Sequence, residues 1–192
     1  MALTTLDPTT ALVVIDLQQG IVGRPVAPHS GADVVARAAR LADAFRAHRS
    51  PVVLVRVSFA ADGADALPGR TEAGPRGAMP EGWDVIVEEL AGGSQIPVTK
   101  HNWGAFHGTD LDVQLRRRGV TQIVLAGIST SIGVETTARA AYEHGYHVTL
   151  ATDAMSDTDA DAHRNSVERI FPLLGETGTT HDIIALLEKT SG

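Results

Sequence analysis

Four apolar runs constrain the fold of this chain more than any other feature of its sequence. They are ALVVI at 11–15, PVVLVRV at 51–57, TQIVLAGI at 121–128 and HVTLATDA at 147–154. Each run is rich in Val, Ile and Leu with little polar alternation, which is typical of strands covered on both faces of a parallel sheet. A weaker run, QIPVTK at 95–100, predicts another strand, and Pro97 near its start favours an edge position.

Helical patterns lie between these runs. Apolar residues recur at spacings of three and four on one helix face at Val34, Ala38, Leu41 and Phe45. Ser30 followed by Asp33 resembles a capping box before that helix. A second helix is predicted from about Val134 to His144, ending where Gly145 can adopt the left-handed conformation.

The alternation of strands and helices predicts the fold class. It indicates an α/β fold with a doubly wound sheet of about six mainly parallel strands and helices on both faces. A short strand near 176–179 and an amphipathic helix over 180–189 complete the pattern. We expect a single domain over residues 1–192, with ligands bound at the carboxyl ends of the strands.

The segment 58–93 interrupts this alternation of strands and helices and is called the lid segment below. It is rich in Gly, Pro, Ala and Asp, and only WDVIVEEL within it has a regular pattern. A loop of that length in a compact domain is usually functional, so we expect it to cover the edge of the sheet.

Composition excludes several classes of function. Hydrophobic residues make up 43% of the chain, which is too many for a disordered protein, and the formal net charge is −7. The densest cationic cluster, 116–118, falls at a predicted helix C-terminus, where it complements the helix dipole, so no nucleic-acid partner is expected. With no cysteine, no basic N-terminal leader and no apolar run long enough to span a bilayer, we expect a cytoplasmic protein that binds no membrane.

Three residues that could form a catalytic site follow three of the predicted strands. Asp16 ends the first apolar run, Lys100 ends QIPVTK, and Gly133 follows TQIVLAGI. Parallel neighbouring strands would bring all three to one rim of the sheet. An ordinary ion pair at that rim is the structural alternative, but two opposite charges at homologous strand ends beside a helix N-terminus favour a functional site.

The stretch GISTSIGVE has the strand–turn–helix pattern that presents a nucleophile, yet it contains none at the expected place. Gly133 opens the helix and the chain has no cysteine. The G-x-S-x-G pattern of serine hydrolases is incomplete because Ser131 replaces its second glycine. Ser129 and Thr130 are therefore interpreted as hydrogen-bonding groups that line the turn. No histidine spacing indicates a metal and no glycine pattern indicates a nucleotide, so neither metal nor cofactor is expected.

Substrate contacts are predicted from the residues around these strand ends. Trp103 and Phe106 follow Lys100 and either form a wall of the pocket or pack under the loop. The available anion-binding side chains are those of Arg24, Arg56, Arg70 and Arg76. Arg56 lies on a strand, whereas Arg70 and Arg76 belong to the lid segment and would act only when it closes.

Three blocks of sequence together resemble a known family. VVIDLQQG, KHNWGAFHGTDLDVQLRRRGV and GISTSIGVETTARAAYEHGYHVTLATDA resemble the signature blocks of the isochorismatase-like hydrolases, or cysteine hydrolase superfamily, in the same order. The resemblance covers nearly the whole chain from about residue 12. It implies a Rossmann-like sheet and homodimers or homotetramers.

The resemblance also implies roles for individual residues. The catalytic aspartate and lysine of the family correspond to Asp16 and Lys100, and its cysteine corresponds to Gly133. A cis peptide is implied between Ile128 and Ser129. The chain is thus similar to the branch with glycine in place of the nucleophile, which contains the true isochorismatases and cleaves a vinyl ether without covalent catalysis.

This chemistry gives each residue a role, with Asp16 as the general acid that protonates the vinyl ether. A small anionic substrate would occupy Lys100, and backbone N–H groups around Ile132 and Gly133 would bind its carboxylate. The predicted substrate-binding residues are Gln18, Arg56, Arg70, Trp103, Phe106, Ser129, Thr130 and Ile132. Two alternatives stay open, namely a small-amide C–N hydrolase that uses water or Ser131 and a catalytically silent member that binds a ligand or a partner.

Overall fold

The computed structural model describes residues 3–67, 69–72 and 79–190. Six parallel strands form one sheet in the order β3-β2-β1-β4-β5-β6. The strands are β1 (Thr10–Ile15), β2 (Val52–Val57), β3 (Ile96–Lys100), β4 (Gln122–Ile128), β5 (His147–Ser156) and β6 (Glu176–Gly178). The predicted doubly wound sheet is confirmed, including the edge position of β3, in which Pro97 lies opposite Leu54.

Within the described residues, seven α-helices connect or flank these strands. They are α1 (Gln19–Val22), α2 (Gly31–Ala47), α3 (Leu111–Arg116), α4 (Glu135–Glu143), α5 (Ala160–Asn165), α6 (Phe171–Leu174) and α7 (Thr180–Thr190). Single π-helical turns over Thr130–Val134 and Ser166–Ile170 precede α4 and α6. No helix in the described part of the chain is both long enough and apolar enough to cross a membrane.

Two hydrophobic cores lie on opposite faces of the sheet. Leu12 and Val14 of β1 belong to one core, with buried residues of α2 and α7. Ala11, Val13 and Ile15 belong to the other, with buried residues of α3, α4 and α6. Successive side chains of a strand point to opposite faces, so an apolar run without polar alternation is what a doubly covered strand requires.

The predicted helix ends agree with the structure at two positions. The Ser30 hydroxyl oxygen accepts a hydrogen bond from the Asp33 N–H at 3.1 Å, and the hydroxyl donates to the Asp33 carboxylate at 2.7 Å. Gly145 follows α4 and has φ 81°, the left-handed conformation expected of a glycine that ends a helix.

The lid segment has little regular structure in its described residues. Its WDVIVEEL stretch forms only a short 3₁₀ helix (Glu88–Leu90), not the longer element that its pattern suggests. Backbone hydrogen bonds fix the segment along the start of α1, from Gln19 N–H to Val85 O at 2.9 Å and from Gly20 N–H to Trp83 O at 2.8 Å. Arg76, one of the predicted anion binders, lies outside the described residues.

Close packing of β4 against the end of β1 positions the residue that follows β1. Gly127 has φ 131°, and a Cβ atom there would lie 2.0 Å from the Ile15 carbonyl oxygen. Only glycine allows the two backbones to approach this closely. Asp16 follows at φ 54°, a left-handed conformation that aspartate tolerates better than most residues.

Candidate active site

The ends of three strands bring Asp16, Lys100 and Gly133 together. The Lys100 Nζ lies 2.8 Å from the Asp16 Oδ2, and the two side chains are only 2% and 7% exposed. A Cβ atom built on Gly133 would lie 3.2 Å from the Asp16 Oδ2 and 3.5 Å from the Lys100 Nζ. The structure thus places the three residues together, although β2 separates the β3 end from the β1 end. Their catalytic roles remain a prediction.

The Lys100 ammonium uses its donors within the protein. It donates to the Trp103 carbonyl oxygen at 2.7 Å and to the Asn102 carbonyl oxygen at 3.3 Å, besides the Asp16 carboxylate. An ammonium group has three N–H donors, so these partners account for all of them. The expectation that a substrate anion occupies Lys100 therefore does not fit the structure.

The Asp16 carboxyl group combines a paired oxygen with an unpaired one. Its Oδ2 contacts Lys100, whereas its Oδ1 is buried and has no hydrogen-bond partner among the described residues. Burial raises the pKa of Asp16 from 3.8 to about 6, although the charge and hydrogen bond of Lys100 lower it. Burial outweighs the paired cation because removing a carboxylate from water costs more than one contact restores. Asp16 can therefore hold a proton near neutral pH.

A cavity of about 420 Å³ opens above this pair. Its apolar wall includes Ile21, Val26, Phe59, Trp83, Trp103 and Ile132. The Phe59 and Trp83 rings stack with their centroids 6.0 Å apart and their planes at 14°. The size and the apolar lining with a few convergent polar groups are typical of a small-molecule site.

Three of the predicted substrate-binding residues line this cavity, namely Trp103, Ser129 and Ile132. Trp103 is 54% exposed, so its side chain lies at the mouth of the cavity. The Ile128–Ser129 peptide is cis, as the family resemblance implies. These residues directly follow β3 and β4, whose carboxyl ends form the floor of the site.

Two predicted contacts are used elsewhere in the fold. The Gln18 amide donates to the carbonyl oxygens of Val57 (3.0 Å) and Trp83 (3.3 Å) and accepts from the Val57 N–H (3.0 Å). The Thr130 hydroxyl pairs with the ring of His163 at 2.8 Å. Both side chains are fully buried and neither lines the cavity, so their position corrects the prediction that they contact substrate.

Three further predicted contacts also lie away from the cavity. Arg56 pairs with Asp84 at 3.2 Å and donates to Thr99. Phe106 is buried in the core, where its ring stacks on that of His144 with centroids 5.1 Å apart. Arg70 is exposed on the lid segment. The alternative that Phe106 packs under its loop is therefore the one that the structure supports.

Two backbone N–H groups at the start of the π-helical turn donate within the protein. The Ser131 N–H donates to the Asp157 carboxylate at 2.6 Å, and the Ile132 N–H donates to the Ser129 carbonyl oxygen at 3.3 Å. The prediction named the N–H groups around Ile132 and Gly133. That of Ile132 closes the turn, which corrects its assignment to a substrate carboxylate, whereas the assignment of the Gly133 N–H stays a prediction.

The sequence-based prediction of the site missed several residues that line the cavity. Phe59 and Trp83 come from the lid segment, and Thr158 comes from the loop after β5. Arg24 was recognised as an available anion binder but not assigned to the site, although it also lines the cavity. Among the described side chains, no three His, Asp or Glu residues cluster closely enough to hold a metal ion.

Fold and site together define an α/β protein with a cavity of small-molecule size above the carboxyl ends of its parallel strands. The isochorismatase domain matches residues 10–182, and the chain therefore belongs to the isochorismatase family of hydrolases.

The chain is 48% identical to the isochorismatase family protein YecD of Escherichia coli O157:H7 over 181 residues, which cover 93% of this chain and 96% of YecD. The structure of an isochorismatase family protein from Burkholderia thailandensis has a TM-score of 0.92 and 52% identity, covering 96% of this chain and 98% of that one. The maleamate amidohydrolase of Pseudomonas putida is 29% identical over 195 residues, covering 95% of this chain and 88% of that enzyme.

Proposed function

We propose that this hydrolase cleaves a small, isochorismate-like vinyl ether without a cofactor and without a covalent intermediate. The observation that carries the proposal is the Asp16 carboxyl group, whose Oδ2 is held by Lys100 at 2.8 Å while its buried Oδ1 has no hydrogen-bond partner in the part of the chain that the structure describes. The adjacent position 133, from which a cysteine would attack, is occupied by glycine. The site therefore has a proton donor where it lacks a nucleophile.

The reaction follows from the chemistry of an enol ether. Asp16 transfers its proton to the terminal vinyl carbon, and the electron pair of the double bond forms the new C–H bond. The resulting oxocarbenium ion adds water at the other vinyl carbon. Loss of one proton gives a hemiketal, which collapses to a ketone and an alcohol. With isochorismate the ketone is pyruvate, and the proton released on hydration restores the acid.

The surroundings of Asp16 suit this role. A general acid is most effective when its pKa lies near the working pH, and burial raises the pKa of Asp16 to about 6. The contact with Lys100 fixes Oδ2, which leaves Oδ1 to carry the proton. Gly133 places no side chain between Asp16 and the cavity, so an enolpyruvyl group can approach the carboxyl group.

Amide hydrolysis is the second candidate, and the likeness to maleamate amidohydrolase favours it. A covalent route has no support because the chain contains no cysteine and Ser131 does not line the cavity. An amide substrate would then require direct attack by water. A catalytically silent member of the family is the third possibility.

The experiment supplies isochorismate and measures pyruvate release by the wild-type protein and by Asp16→Asn. Loss of the general acid should reduce kcat by about 10²- to 10⁴-fold. Asp43→Asn, an exposed carboxylate on α2, is the matched control and should retain wild-type turnover. Equal pyruvate release by wild type and Asp16→Asn refutes the proposal.

Maleamate tested in parallel separates the remaining candidates. Ammonia release from maleamate, without pyruvate release from isochorismate, supports the amidase. If neither substrate is turned over while either one raises the melting temperature, the protein binds a ligand without catalysis.

A further inference from the structure

An anionic substrate needs a cationic partner that the catalytic centre does not provide. This inference rests on the proposed function, in which the substrate is a small carboxylic acid. The net charge of the chain is −7, so its overall field disfavours anions and a local cation has to offset it. The three N–H donors of Lys100 bond to the Asp16 carboxylate and to two carbonyl oxygens. The N–H groups of Ser131 and Ile132 are likewise bonded within the protein.

Arg24 is the arginine that lines the cavity in the described part of the chain. Among the described residues, no carboxylate or carbonyl oxygen pairs with its guanidinium group. Other arginines near the rim differ in this respect. Arg56 pairs with Asp84 at 3.2 Å, and Arg37 donates to the Asp153 carbonyl oxygen at 2.7 Å.

Backbone hydrogen bonds anchor the loop that carries Arg24. The Arg24 N–H donates to the Ile21 carbonyl oxygen at 3.1 Å, which continues the turn of α1. Three residues later, Ala27 and Asp157 exchange two backbone hydrogen bonds of 2.8 and 2.9 Å. This pairing holds the 24–27 loop alongside Thr158, which also lines the cavity.

We infer that Arg24 is the specificity-determining residue that binds the substrate carboxylate. A guanidinium group matches a carboxylate with two parallel N–H donors and stays charged at every working pH. Phe59, Trp83 and Trp103 present an apolar wall to the rest of the ligand. The substrate class is therefore a small unsaturated or cyclic carboxylic acid, bound by its carboxylate at Arg24 and cleaved at Asp16.

Binding can be measured independently of turnover. The chain has two tryptophans, Trp83 and Trp103, and both line the cavity, so intrinsic fluorescence reports on its occupancy. The probes are benzoate and its neutral analogue benzamide. Wild type should bind benzoate more tightly than benzamide. Arg24→Ala should bind benzoate about tenfold more weakly and lose the preference, because a hydrogen-bonded charge pair is removed.

Two further variants make the result specific. Arg24→Lys keeps the charge but not the paired donors, so its affinity for benzoate should be intermediate. Arg40→Ala removes an exposed arginine of α2 outside the cavity and should leave the affinity for benzoate unchanged. The inference is overturned if wild type shows no preference for benzoate, or if Arg24→Ala binds it within twofold of wild type.

Kinetics with isochorismate separate this inference from the proposed function. Arg24→Ala should raise KM at least as much as it lowers kcat, because the proposed contact with the substrate carboxylate is present in the ground state as well as in the transition state. Arg24-dependent binding of benzoate without pyruvate release refutes vinyl ether hydrolysis and leaves the anion site standing. Pyruvate release with an unchanged KM in Arg24→Ala supports vinyl ether hydrolysis and refutes Arg24 as the anion site.

Discussion

The activity should fall as pH rises through the pKa of Asp16. Burial raises this pKa from 3.8 to about 6, and the proposed mechanism requires the protonated acid. With a pKa of 6, roughly 90% of the enzyme is protonated at pH 5, half at pH 6 and about 1% at pH 8. We therefore expect kcat/KM for isochorismate to be flat below pH 5 and to decrease about tenfold per unit above pH 7.

The assay measures pyruvate release between pH 4.5 and 8.5, with circular dichroism at each pH to verify the fold. His101 also lines the cavity, where its ring contacts the Ser58 carbonyl oxygen and the Asp65 carboxylate. His101→Gln is therefore the control, and its profile should bend at the same pH as that of wild type. A rate that is constant from pH 5 to 8, or that increases with pH, refutes Asp16 as the acid.

The same pKa shift predicts how stability depends on pH. A carboxyl group whose pKa is higher in the folded state binds its proton more tightly there, so it favours the folded state most below pH 3.8. That contribution decreases as pH rises through about 6 and amounts to about 3 kcal/mol. Urea unfolding of wild type relative to Asp16→Asn should show this loss between pH 4 and pH 6. A difference in unfolding free energy that is independent of pH contradicts the raised pKa.

Three other substitutions test the surroundings of the acid. Gly133→Ala brings a methyl group to 3.0 Å from the Ile15 Cγ2 and 3.2 Å from the Asp16 Oδ2. We therefore expect the unfolding free energy to fall by about 1–3 kcal/mol and kcat to decrease. An unchanged kcat would show that the position is not crowded. Lys100→Met removes the cation that lowers the pKa of Asp16, so the bend in the pH–rate profile should move to higher pH, and a shift to lower pH would contradict the pairing. Gln18→Ala leaves buried backbone groups at Val57 unpaired, so the free energy of unfolding measured in urea should fall by about 2–3 kcal/mol. A higher KM with unchanged stability would instead indicate that Gln18 contacts the substrate.

The sheet and the acid–lysine pair could be predicted from the sequence because both depend on local pattern. Strands buried on two faces require long apolar runs, and parallel strands end on the same edge. Asp16 ends such a run and Lys100 ends a weaker one, so topology places both at the same edge of the sheet. Their contact also requires the Lys100 side chain to reach past the end of β2, which lies between β1 and β3. Ser129 and Ile132 reach the cavity for the same reason, since the chain has only a short turn after β4.

The rest of the site depends on contacts between residues far apart in sequence. Arg56 lies opposite Thr99 in the strand register, and its partner Asp84 belongs to the lid segment, 28 residues further along the chain. The Thr130 hydroxyl is hydrogen-bonded to His163, a residue of α5, and does not line the cavity. Trp83 reaches the cavity through hydrogen bonds between the lid segment and α1, which no spacing in the sequence indicates.

The most direct test of the central claim is the fate of solvent oxygen during turnover of isochorismate in H₂¹⁸O. Protonation of the terminal vinyl carbon by Asp16 makes water add to the other vinyl carbon, which bears the ether oxygen, so mass spectrometry should find the alcohol product with its original, unlabelled oxygen. Incorporation of ¹⁸O into the alcohol would place the cleavage on the ring carbon instead and would contradict proton donation to the vinyl ether.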